Sequence, residues 1–112
     1  MPMTVHEVIN AALASLPYEI SRPPAKGSEQ TYVSWFEVDS HTAYQASGER
    51  LRTEYLMQVD IYTRLPLIEQ PDAVKDALRA AGLKIDHSGP EDYEDDTGYH
   101  HLPIRCRWAR KG

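Results

Sequence analysis

The side chains that could do chemistry gather in the last third of this sequence. His87, His100, His101 and Cys106 stand near a run of carboxylates, Glu91, Asp92, Glu94, Asp95 and Asp96. Histidine, cysteine and carboxylate are the ligands of zinc sites, and five acids carry enough oxygen for a hard cation. The spacing argues against both. Adjacent strand residues point to opposite faces, so His100 and His101 do not converge on one ion without a bend. The acidic run lacks the ordered twelve-residue pattern of a calcium loop, and reads as a solvated or partner-facing turn. Cys106 falls among the apolar positions of a strand, where a free thiol behaves as a small buried hydrophobe. Acid–base catalysis needs a carboxyl whose pKa is raised in a pocket, and an exposed turn offers none. Gly82, Gly89 and Gly98 are too far apart to cradle a phosphate. These positions predict no catalytic residue, no metal, no cofactor and no small-molecule substrate.

The cations are better organised. Arg105, Arg107, Arg110 and Lys111 place four positive charges in the last eight residues, with no acid among them. Arg105 and Arg107 share one strand parity. A nucleic-acid strip is the sharp reading, but a net charge of −5, from 17 acids against 12 Lys and Arg, opposes a general phosphate binder. The acidic turn and the basic strand can instead complement each other between identical subunits. Seven Tyr and two Trp against one Phe fit the same idea, because Tyr and Trp join apolar area to a polar handle.

The elements that must hold these residues follow from periodicity. Thr4 and Glu7 have capping-box spacing, and Val5, Val8, Ile9, Ala12, Leu13 and Leu16 form one helical face until Pro17. Residues 17–30, with two prolines and a glycine within 22–28, read as a connector. Residues 31–39 read as a strand with Tyr32, Phe36 and Val38 on one parity and Val33 and Trp35 on the other. Large side chains on both faces mean either a covered central strand or a face awaiting another subunit. Residues 40–50 read as a polar loop carrying Tyr44. Residues 51–62 form the strongest strand, with Tyr55, Met57, Val59 and Ile61 alternating. A second helix begins near Pro71, carries Val74, Ala77, Leu78 and Ala81 inward, and stops at Gly82. A short strand over 83–87 leads into the acidic loop 89–98. The last strand, 99–109, places Leu102, Ile104, Cys106 and Trp108 on one side. Pro103 favours an edge or a bulge there.

The order α-β-β-α-β-β predicts an α+β fold, a mostly antiparallel four-stranded sheet packed against two helices. Val8, Leu13, Phe36, Met57, Val59, Ile61, Val74, Leu78, Ile104 and Trp108 are the expected core. The 112 residues suit one domain spanning 1–112, and the single cysteine excludes an internal disulfide. No apolar run reaches membrane-spanning length, and the first residues show no signal core, which predicts a chain made in the cytoplasm with no membrane partner.

Several phrases resemble a known group. These are Tyr32-Val33-Ser34-Trp35-Phe36-Glu37-Val38, Glu54-Tyr55-Leu56-Met57-Gln58-Val59-Asp60-Ile61-Tyr62, the helix end Ala80-Ala81-Gly82-Leu83, and the stretch from Glu91 through Tyr99-His100-His101-Leu102-Pro103-Ile104 to Trp108. Over residues 4 to 110 the chain resembles the tail-terminator or tail-completion proteins of long-tailed bacteriophages and prophages, also described as minor capsid or head–tail joining components. The resemblance implies a non-enzymatic virion protein of the tail or neck, made in the host cytoplasm. Such a protein caps the tail tube as a hexameric ring, meets the tail-tube protein and the head–tail connector proteins, and lets DNA pass through its channel without specific binding. A neck adaptor of the same virion region, or a small cellular protein-binding module, is the alternative. Charge and placement make Arg105 and Arg107 the expected subunit contacts, Glu91, Asp92, Asp95 and Asp96 their partners, and Tyr44 a loop contact.

Overall fold

A computed structural model describes residues 3–21, 30–44 and 50–111. The first helix, α1 (Val5–Ala14), opens with a full capping box. The Glu7 amide donates to Thr4 Oγ1 at 3.2 Å, and the Thr4 amide donates to Glu7 Oε1 at 3.0 Å. Two of the amides that a helix start leaves unpaired are thereby satisfied. These bonds from Thr4 also lower the Glu7 carboxyl pKa. The second helix, α2 (Gln70–Ala80), has Pro71 in its first turn and ends at Gly82, whose φ is +93°. Its last carbonyls are closed by Gly82 N–H on Arg79 O and Leu83 N–H on Leu78 O, both 3.0 Å. That Schellman pairing brings Leu83 down onto Leu78, and both side chains are buried.

Among the described residues the sheet has six strands rather than the expected four. They are β1 (Glu19–Ser21), β2 (Thr31–Tyr44), β3 (Arg50–Thr63), β4 (Lys84–Ser88), β5 (Asp92–Glu94) and β6 (Tyr99–Lys111), in the order β1-β2-β3-β6-β4, with β5 also on β6. The β1–β2 pair is parallel, and the other pairs among the described residues are antiparallel. Both extra strands lie where connectors were expected, β1 inside 17–30 and β5 inside the acidic loop 89–98. Each has three residues, too few for periodicity to declare a strand. The expected loop over 40–50 is also shorter, because β2 runs on to Tyr44 and β3 begins at Arg50; residues 45–49 lie outside the described residues. Polar alternation such as Ser40-His41-Thr42 hides a strand when a partner, here Tyr55-Glu54-Thr53, supplies the ladder.

Both helices lie on one side of the sheet. The core combines Val5, Val8, Ile9, Ala12 and Leu13 of α1 and Val74 and Leu78 of α2 with Val33, Trp35, Met57, Val59, Ile61, Ile104 and Cys106 of the sheet. Trp35, wholly buried, donates its indole N–H to Asn10 Oδ1 at 3.0 Å. Phe36, expected in the core, is only half-buried and points to the opposite face. Trp108 has the expected parity but is half-buried at the core margin, its ring 5.9 Å from Tyr55.

Pro103, where an edge or a bulge is expected, sits on an internal strand at the gap between the β4 and β5 pairings. Its carbonyl accepts from Gly89 N–H at 2.8 Å. Within a strand the N–H and C=O of one residue face the same neighbour, so the missing proline N–H falls on that side, between the β4 and β5 pairings. The β3 ladder loses nothing.

Candidate functional site

The face without helices is built in rows across β2, β3 and β6. Tyr32, Tyr62 and His101 form one row, with Tyr32 and Tyr62 stacked at 4.7 Å and Tyr62 and His101 at 4.5 Å. Tyr99 meets Tyr32 edge-on, and the Arg64 guanidinium lies 4.3 Å from the centre of the Tyr99 ring. Burial first, then the Asp60 charge, holds the Tyr62 phenol up at about 12. The next rows carry Ser34, Asp60 and Pro103, then Phe36, Gln58 and Arg105. Polar links join them: Arg105 Nε donates to Gln58 Oε1 at 2.7 Å, and Gln58 Nε2 donates to Asp60 Oδ1 at 2.9 Å.

Register shifts aim side chains on this frame. The β2–β3 register slips between Glu37 and Asp39, leaving Val38 unpaired and exposed. The β4–β6 register slips between Ile85 and His87, which makes Asp86 the inserted residue. Its carboxylate reaches Arg107 Nε at 2.7 Å. The pair is a close ion contact without the alignment of a full hydrogen bond, and the Asp86 carboxylate raises the Arg107 pKa. Burial, then the Asp86 charge, pushes the Cys106 thiol up to about 12 and keeps it protonated.

Charge separates along the molecule, whose longest axis is 54 Å. Glu91, Asp92, Asp95 and Asp96 are all exposed in the turn before Tyr99. Only Glu91 of these has an ion-pair partner among the described residues, His100 Nδ1 at 3.5 Å. At the other end of β6 lies a cleft of about 300 Å³ lined by Arg52, Glu54, Gly82, Lys84, Arg107, Trp108 and Ala109. Arg52 and His41 both pair with Glu54, at 2.9 and 3.1 Å. Lys84 is exposed with no ion-pair partner among the described residues.

Arg105 and Arg107 therefore share a face, as their parity implies, but each already has an internal partner. The acids expected to complement them sit at the far end of β6 and do not meet them within one chain. Tyr44 ends β2 opposite Arg50. Sequence reasoning missed Arg52 and Lys84, because the register that puts Lys84 opposite Arg107 depends on an unseen strand pairing. It also missed the Asp60 ladder, since an acid inside a strand pattern carries no local mark of burial. Four histidines each lie against one carboxylate, and among the described residues no group of three or more ligand side chains could hold a metal ion. No helix among the described residues is long and apolar enough to cross a membrane.

In structural terms this is an α+β protein whose mixed, mostly antiparallel sheet carries both helices on one face and a laddered polar face on the other. No family model and no curated protein sequence matches the chain. Among solved structures, a chain of the "Virion of native gene transfer agent (GTA) particle" superposes with a TM-score of 0.59 at 16% identity, over 94% of this chain and 85% of that one. At that identity the likeness establishes the shared fold.

Proposed function

We propose that this chain is a non-enzymatic virion protein that caps a tail tube and offers the surface to which the head docks, as a ring of identical copies. The observation that carries the reading is the likeness, over nearly the whole chain, to a chain from a gene transfer agent virion. The family resemblance in sequence supplies the finer role: a hexameric ring, contact with the tail-tube and head–tail connector proteins, a place in the tail or neck, and passage of DNA without specific binding. The separated charges support assembly. Arg105, Arg107 and Tyr44 on one side, and Glu91, Asp92, Asp95 and Asp96 on the other, are its proposed contacts. A net charge of −5 suits a channel that must not hold phosphates.

The same likeness fits a neck adaptor of that virion region. A cellular binding module is the further alternative, favoured by a groove between α1 and α2 lined by Val8, Ala11, Ala12, Ala77, Ala80 and Ala81. Light scattering across a concentration series, with negative-stain images, tests the proposal. A closed ring, alone or on added tail tubes, is the expected result. A chain that stays monomeric with and without tubes overturns it.

A further inference from the structure

We propose that the cleft formed by Arg52, Lys84 and Arg107 receives the acidic turn, residues 91–96, of a second copy of this chain. The inference deepens the assembly reading and rests on it in requiring a second copy. Both halves of the contact are on the molecule. The cleft carries three cations against two carboxylates, Glu54 within it and Asp86 on Arg107. Lys84 has no ion-pair partner among the described residues, and neither do Asp92, Asp95 and Asp96. Unspent charge of opposite sign thus stands at the two ends of one strand.

The turn cannot fill the cleft of its own chain. From Tyr99, beside the turn, to Trp108, in the cleft, β6 spans about 30 Å at roughly 3.3 Å per residue. The contact is therefore made between copies, and it joins two different patches, the arrangement that propagates head to tail and closes when the rotation allows. The strand edge adds shape to the charge. β4 begins at Lys84 opposite Arg107, so β6 has β3 alone beside it over 108–111 among the described residues. Its free backbone groups can pair with an extended segment. Tyr93, half exposed at the centre of the turn, brings apolar area to a contact that charge alone would make weak.

A nucleic-acid phosphate is the other anion such a cleft could take. Glu54 in the cleft, Asp86 on Arg107 and the acidic whole chain disfavour it, whereas a turn with three acids that have no ion-pair partner among the described residues is present on every copy.

Zero-length carbodiimide crosslinking of an equal mixture of heavy- and light-isotope full-length protein tests the contact. Lys84 should couple to Asp92, Asp95 or Asp96 in mixed-isotope pairs that increase with protein concentration. Lys84→Glu with Arg52→Glu should weaken self-association by about tenfold or more, and Asp92→Lys with Asp95→Lys should do the same. Mixing the two variants should restore association. A ring that forms without any Lys84-to-turn crosslink overturns the cleft assignment and leaves the ring standing. No association at millimolar protein, with or without tail tubes, overturns both. Loss of binding to a fluorescent DNA duplex on Lys84→Glu with Arg52→Glu, at unchanged self-association, makes the cleft a phosphate site and overturns the proposal.

Discussion

His101 Nε2 stands 2.9 Å from Asp60 Oδ1, on the sheet face that carries no helix. The same oxygen accepts from Gln58, and Gln58 accepts from Arg105. Asp60 is only 5% exposed. A carboxylate that deep in a protein costs several kcal/mol unless donors surround it. β3 supplies one donor and β6 another, so the ladder also pins their register: a slip by one residue would carry His101 and Arg105 to the helix face.

Asp60→Ala should accordingly destabilise the fold by about 1–3 kcal/mol, because His101 and the Gln58–Arg105 pair lose their acceptor while still half-buried. The urea midpoint of the variant against the natural chain checks this. An unchanged midpoint would show that the ladder contributes nothing to stability.

Trp35 and Phe36 are neighbours with opposite fates, which sets the second prediction. Trp35→Ala should cost about 3–5 kcal/mol, because it empties a fully buried site and removes the indole bond to Asn10. Phe36→Ala should cost roughly 1–2 kcal/mol, from the smaller apolar area that it buries. Equal losses in thermal or urea unfolding would mean that both faces of β2 are core.

The same pair shows what was legible in the residues. A period of two separates Val33 and Trp35 from Tyr32 and Phe36, but it does not say which face the helices cover, and the expected core takes Phe36 where the helices cover Trp35. The helices themselves were readable, since Thr4, Glu7, Pro71 and Gly82 mark their ends by local chemistry, as were the long strands around Met57 and Ile104. Three-residue strands such as β1 and β5 exist only through their partners, so no local pattern announced them. Arg105 and Arg107 were recognised as co-facial from parity. Their partners Gln58 and Asp86 were not, because one depends on strand register and the other on a bulge.

Alkali should destabilise the fold through acids that folding keeps neutral, Cys106 and Tyr62 foremost, with Tyr18 raised in the same direction by burial. Folding raises the Cys106 thiol from 9.0 to about 12 and the Tyr62 phenol from 10.0 to about 12. A raised acid stays neutral in the folded chain while the unfolded chain ionises, so the stabilisation is complete below pH 9 and is lost as the pH climbs to about 12. Cys106→Ala should flatten the first part of that fall and leave the Tyr62 part. Because Cys106 is wholly buried, a thiol reagent should label it in denaturant and hardly at all in the native chain. Rapid native labelling would contradict the placement of β6.

Two charge reversals should separate structural cations from free ones. Arg105→Glu sets a carboxylate against Gln58 and near the buried Asp60, removing a donor and adding repulsion on a half-buried face. It should cost about 1–3 kcal/mol of stability even in a monomer. Lys84→Glu changes an exposed side chain with no ion partner among the described residues, and its stability should move by no more than about 0.5 kcal/mol. Urea unfolding of both variants at low protein concentration reads this difference without interference from assembly. Equal destabilisation would place Lys84 in the fold's own charge network, and assembly defects of either variant would then have to be corrected for folding before being assigned to a contact.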